Sequence, residues 1–130
     1  MKKVFVNGTF DIIHIGHLSM LEYAKSLGTE LTVAIDSDQR VKSLKGDTRP
    51  INNQVERAAL MASLRAVDNV FIFDTDEELI HLISEHDLMV KGSDYKDKEI
   101  IGAEVCKELM FFNYIDGYST TKKIESIINR

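Results

Sequence analysis

Between Val4 and Leu18 the chain reads Val-Phe-Val-Asn-Gly-Thr-Phe-Asp-Ile-Ile-His-Ile-Gly-His-Leu, an order of residues that few folds accommodate. Val4, Phe5 and Val6 are β-branched or aromatic and suit a buried strand, which Asn7-Gly8 then breaks. Apolar residues return at Leu18, Leu21, Tyr23, Ala24 and Leu27 with nearly helical spacing, and Gly28 supplies a stop. Strand, tight polar loop and helix together aim the amides of Gly8, Thr9 and Phe10 at one point above the strand end. The first amides of the helix aim there too. Unpaired N–H groups and the helix dipole stabilise an anion at such a point, and phosphate is the natural guest. His14 and His17 share a helix face and flank the point, while Gly16 between them lets a nucleotide approach the backbone.

The rest of the chain repeats the pattern. Leu31 to Ile35 predicts a second strand, ended by Asp36-Ser37-Asp38, and a strand-helix-strand unit implies parallel pairing with a right-handed crossover. Ligands in such sheets bind beyond the carboxyl ends of the strands, where both loops lie. Asp36 and Asp38 either contact a ribose or a metal-bound water there, or cap the next helix. Val70 to Phe73, Leu88 to Val90 and Met110 to Ile115 predict three more strands. Helices are expected after Asn52 or Asn53, where the run is apolar enough to be largely buried, after Asp74 to Glu78, and after Ser119-Thr120-Thr121. The whole of 1–130 is therefore expected to be one three-layer α/β/α domain with a five-stranded parallel sheet. Gln39 to Asn53 lacks periodicity. Within it Arg40 and Lys42 fit a solvated face, whereas Lys45-Gly46-Asp47-Thr48-Arg49-Pro50-Ile51-Asn52 is a loop able to fold over a ligand. Residues 96–107 read as partly helical with Asp94 as a cap, and His81 and His86 as surface or boundary residues without partners at metal-ligand spacing.

With 16 Lys and Arg against 21 Asp and Glu, the chain is mildly acidic, with a formal charge of −5. Bulk attraction to nucleic acid or an anionic membrane is not expected, so an anionic ligand must be held by a few placed cations and amides. Cys106 is the only cysteine, which excludes an internal disulfide and a cysteine-rich metal site. No apolar run approaches the roughly 20 residues needed to span a bilayer, and Met1-Lys2-Lys3 leads straight into a strand. A cytoplasmic location is the expectation.

Gly8-Thr9-Phe10-Asp11 followed by His14-Ile15-Gly16-His17 resembles the signature of the nucleotidyltransferases that carry an HxGH motif, and the resemblance covers nearly the full chain. It implies a Rossmann-like fold, a nucleoside triphosphate and a phosphorylated acceptor as substrates, Mg2+ carried with the nucleotide, no metal held by protein ligands alone, and a homodimer. It implies that His14 and His17 stabilise the triphosphate during attack on the α-phosphate and that Lys45 positions the acceptor. Gly8, Thr9, Phe10, Gly16, Arg57, Lys91, Gly92, Asp94, Ser119 and Thr120 would hold the nucleotide. Arg57 in that role reaches the phosphates; the alternative for it is a surface ion pair with Glu56. Asp11, Asp38 and Arg49 would contact the acceptor. The KGDTRPIN string and Val90-Lys91-Gly92-Ser93-Asp94-Tyr95 are similar to the adenylyltransferase domain of bacterial heptose-phosphate kinase/adenylyltransferases, which implies ATP and a sugar phosphate such as heptose 1-phosphate. Glycerol 3-phosphate cytidylyltransferases, which use CTP, carry R-T-E-G-x-S-T-T where this chain has Tyr114-Ile115-Asp116-Gly117, without the arginine. From another class, a nucleotide-binding regulatory module without turnover would keep the fold and lack the need for His14, His17 and Lys45 together. An HxGH helix also occurs in class I aminoacyl-tRNA synthetases, but a tRNA-binding region is not expected in so short and acidic a chain.

Overall fold

Strands and helices alternate along the chain. A computed structural model describes residues 2–113 and 120–129, with only the backbone of Thr120. The elements are β1 (Lys3–Gly8), α1 (Ile15–Ser26), β2 (Glu30–Asp36), α2 (Asp38–Lys45), α3 (Gln54–Ser63), β3 (Asn69–Phe73), α4 (Asp76–Ser84), β4 (Leu88–Gly92), β5 (Leu109–Phe112) and α5 (Thr120–Ile128). All strand pairs are parallel and the sheet order is β3-β2-β1-β4-β5. The chain builds outward from β1 through β2 to β3, then returns across the sheet to place β4 on the other side of β1. The order therefore reverses between β1 and β4, where open α/β sheets form their binding crevice.

Alternation along each strand divides the core in two. Val4, Val6, Leu31, Val33, Ile35, Leu88 and Val90 pack with Met20, Leu21 and Ala24 of α1 and Met61 of α3. Phe5, Ala34, Phe73 and Met89 face the other way, against Leu79 and Ile83 of α4. Three layers result, as expected. Gly28 follows the Leu27 cap of α1, and a Cβ there would meet the Lys2 carbonyl oxygen at 2.5 Å, so the position is glycine because two backbones touch.

Several expectations are corrected. Residues 38–45 form a helix despite the lack of periodicity there: the Ser37 side chain accepts from the Arg40 amide at its start, and Gly46, at φ 99°, ends it. Neither Asp36 nor Asp38 is that cap. Asn53 caps α3 as anticipated, but that helix stops at Ser63 and buries only Arg57 and Met61, leaving Val55 and Leu60 exposed. Of 96–107, expected to be partly helical, Ala103–Val105 forms a short 3-10 turn; another at Ser93–Tyr95 precedes the stretch and holds Asp94 inside it rather than as a cap. His86 is buried, with its ring 5.1 Å from that of Phe5, whereas His81 is exposed. The last strand begins at Leu109; Tyr114 and Ile115 lie outside the described residues, as does Ser119.

Candidate active site

A cavity of about 600 Å³ opens over the carboxyl ends of β1 and β4, within the size range of small-molecule sites. One wall is the loop from Gly8 to His14. Its turn places Phe10 at φ 51° and Ile12 at φ 49°, a left-handed conformation that is unfavourable for side-chain-bearing residues and most of all for a β-branched one. Two braces hold the loop in that shape. The buried Asp11 carboxylate accepts the Ile51 amide (2.7 Å) and the Asn52 amide (2.9 Å), tying the loop to the segment after Pro50. The guanidinium of Arg57, fully buried, donates to the carbonyls of Thr9 (2.9 Å), Asp36 (2.8 Å) and Asn52 (2.9 Å) and to Asp38 Oδ1 (2.8 Å).

Both histidines work as helix caps. His14 is the N-cap of α1: its Nδ1 accepts from the Gly16 amide at 3.1 Å, and the Nδ1 of His17 accepts from the His14 amide at 3.1 Å. This is a reciprocal capping box in which imidazoles replace the usual hydroxyl and carboxylate. An Nδ1 that accepts an amide carries no proton, so each neutral ring carries its proton on Nε2. The rings stack at 3.9 Å, and Phe10 meets His17 edge-on at 5.4 Å. Burial, then His14, then Lys45 push the His17 pKa down to about 4; burial and then Lys123 lower that of His14. At neutral pH the pair is uncharged and offers two N–H donors.

The remaining walls carry charge. Asp36 accepts from Arg40 Nε (2.8 Å) and from the Thr9 hydroxyl (3.3 Å), and Arg40 continues to Asp76 (2.8 Å) while its guanidinium covers the Phe73 ring. The solvated face expected for Arg40 is thus corrected. Asp36 lies four residues before Arg40 and just ahead of α2, the sequence signal for the pair. Lys91 places its ammonium 4.8 Å from the Tyr95 ring centroid; burial pulls its pKa to about 8 against the opposing pull of Asp36 and Asp94.

Of the sequence-derived site residues, Gly8, Thr9, Phe10 and Asp11 line the cavity, as do His14, His17 and Lys45 and, from the β4 end, Lys91, Gly92 and Asp94. Gly16 sits in the first turn of α1 and donates to His14. Arg57 and Asp38 do not line the cavity: they pair with each other, which corrects both the phosphate-contacting and the Glu56-paired readings of Arg57 and removes Asp38 from the acceptor. Asp11 faces the cavity with both oxygens committed to amides, so it serves as a strut. Arg49 reaches the Thr121 hydroxyl at 3.5 Å, joining the basic loop to α5, and Thr121, next in the chain after Thr120, lines the cavity. Asn7, Arg40 and Tyr95 also line it and were not singled out from sequence.

A family model described as Cytidylyltransferase-like matches residues 5–125. The chain belongs to the cytidylyltransferase-like family. Among relatives in this family, the Bifunctional protein HldE of a Nitratiruptor species is 52% identical over 124 residues, which cover 94% of this chain and 27% of that protein. The Bifunctional protein HldE of Helicobacter pylori is 49% identical over 128 residues, covering 97% of this chain and 27% of the other. The chain thus spans little more than a quarter of the length of these relatives. A crystal structure of the lipopolysaccharide core biosynthesis protein from Thermoplasma volcanium superposes with a TM-score of 0.75 at 25% identity, covering 89% of this chain and 99% of that one. No helix among the described residues is long and apolar enough to cross a membrane.

Proposed function

We propose that this cytidylyltransferase-like chain transfers a nucleoside monophosphate from ATP to the phosphate of a sugar phosphate such as heptose 1-phosphate, releasing pyrophosphate. One observation carries the reading: two neutral histidines at the start of α1, fixed by their own caps as Nε2–H donors, share a cavity with Lys45, the last residue of α2. An acceptor phosphate oxygen is already a competent nucleophile, so the protein's task is alignment and charge stabilisation. The bond formed joins that oxygen to the α-phosphorus, and the bond to the pyrophosphate oxygen breaks. Donors that are ordered before the reaction stabilise the charge gathering on the departing phosphates without reorganising. Lys45, with no hydrogen bond or ion pair among the described residues, is available to hold the incoming phosphate. The two relatives named HldE and the KGDTRPIN and VKGSDY strings favour ATP and a sugar phosphate.

No cluster of three or more His, Cys, Asp or Glu side chains able to hold a metal occurs among the described residues. The donor set fits a magnesium ion that arrives on the triphosphate and keeps water ligands, as Mg2+ prefers. Such an ion, when bound, neutralises triphosphate charge. A cytoplasmic homodimer completes the reading. Its support is the exposure of Val55 and Leu60 on α3 and of Phe71 and Ile72 on the adjoining edge strand β3.

The test is pyrophosphate release with Mg2+ and either ATP or CTP, against heptose 1-phosphate, other sugar 1-phosphates and glycerol 3-phosphate. Release with ATP and a sugar phosphate, reduced about 10²–10³-fold in Lys45→Ala and His17→Ala, is expected. Turnover only with CTP and glycerol 3-phosphate would reassign the substrates, and nucleotide binding without turnover would leave a binding module.

A further inference from the structure

Strand parity gives the cavity two sides. Phe5, Ala34 and Met89 face α4, so residues two positions further along each strand, Asn7, Asp36 and Lys91, leave the sheet on that same side. They stand at the ends of three neighbouring strands and all line the cavity. His14 and His17 belong to α1, which packs on the opposite face. The side chains of Asn7, Asp36 and Lys91 therefore enter the shared cavity from the α4 side of the sheet, and the histidine donors enter it from the α1 side.

The chemistry on the α4 side is specific. The Oδ1 of Asn7 is buried and has no hydrogen-bond partner among the described residues, an arrangement that is costly unless a ligand supplies a donor. Lys91 forms no ion pair among the described residues and presents its ammonium beside the Tyr95 ring. Asp36 and Arg40 neutralise each other, and Leu79 and Ile100 line that side with apolar surface. An apolar group entering here would leave Asn7 unpaired and strip water from Lys91. A carbon skeleton bearing several hydroxyls satisfies both, since each hydroxyl donates and accepts.

We propose that Asn7 and Lys91 form the subsite that reads the hydroxyl groups of the acceptor, Asn7 Oδ1 accepting from one and the Lys91 ammonium donating to another, so that the site takes polyhydroxylated phosphates; Lys91 thereby moves to the acceptor from the nucleotide, to which the family resemblance assigned it. This rests on the two-substrate reading above for the ligand's role in catalysis, but its binding can be measured without turnover.

The experiment is calorimetric titration of wild type, Asn7→Leu, Lys91→Met and Lys91→Arg, each checked for an unchanged thermal melt. Titrants are the α,β-methylene analogue of ATP with Mg2+, then heptose 1-phosphate, mannose 1-phosphate and phosphoethanolamine, each on the protein with and without that analogue. Both Asn7→Leu and Lys91→Met are expected to weaken sugar-phosphate binding about tenfold, the scale of one lost hydrogen bond, with nucleotide affinity and phosphoethanolamine affinity unmoved. Lys91→Arg should recover most of the loss. Unchanged sugar-phosphate affinity in both variants, or a loss that falls on the nucleotide instead, overturns the subsite. So does a wild type that binds the nucleotide and no sugar phosphate. A wild type that binds sugar phosphates through Asn7 yet does not bind the nucleotide upholds the subsite and overturns the nucleotidyltransferase reading.

Discussion

Each of the two motif histidines holds a backbone amide and a ring partner, and that double engagement sets its acid-base behaviour. A protonated imidazole has no lone pair with which to accept an amide, so protonating His14 or His17 also uncaps α1. The folded pKa of His17, about 4, lies below the ordinary value of 6.5, so the unfolded chain binds protons first as pH falls. The stability this group contributes is complete above pH 6.5 and is lost progressively from there toward pH 4. Thermal melts across that window should fall accordingly, and the His17 ring resonance in an NMR titration should move near pH 4 rather than 6.5. Bound triphosphate, bringing negative charge to the rings, should shift that midpoint upward; a midpoint near 6.5 in the free protein would contradict the capping geometry. In the sequence, spacing alone placed both rings on one face, but their choice of Nδ1 as acceptor depends on where the chain leaves the left-handed turn at Ile12.

At the scale of elements, the site is assembled by braces more than by the sheet. Arg57 joins four segments at once: the loop after β1, the end of β2, the start of α2 and the residue before the α3 cap. Replacing it with Met removes five-donor chemistry from a sealed space and strands Asp38 and three carbonyls, so Arg57→Met should cost about 3–5 kcal/mol, read from the denaturant midpoint. Turnover should fall with it, since the Thr9 carbonyl loses its anchor. Asp11→Ala acts more locally: amide exchange at Ile51 and Asn52 should speed up while the core amides of β1 and β2 stay protected. Arg57 was read from its resemblance as reaching the phosphates, or else as pairing with Glu56, and nothing in its neighbours reveals acceptors arriving from distant segments. The missed helix α2 has a related cause. It buries only Val41, so no apolar stripe marks it, although Ser37 and Gly46 bracket it with ordinary capping chemistry.

For the whole molecule, five short apolar runs alternating with helical patterns made the parallel sheet legible, and the Gly-Thr-Phe-Asp and histidine motifs located the crevice. The strand order was not legible, because either neighbour of β1 satisfies the same hydrophobic pattern; it emerges from packing, and with it the side of the sheet on which Asn7, Asp36 and Lys91 meet. The dimer reading makes a direct claim on mass. Sedimentation should give twice 14.8 kDa, and Phe71→Lys on the exposed edge strand should return the monomer while leaving the melt nearly unchanged. Finally, the histidine caps bear on how such a chain would change if its chemistry were no longer selected. A descendant without turnover would still need an acceptor of the Gly16 amide and an acceptor of the His14 amide to start α1. The two histidines could thus outlive catalysis as a fossil of it, whereas the exposed Lys45, with no bond to the rest of the fold among the described residues, would be among the first to drift. In any related sequence, the lysine is the better witness that the reaction is still in use.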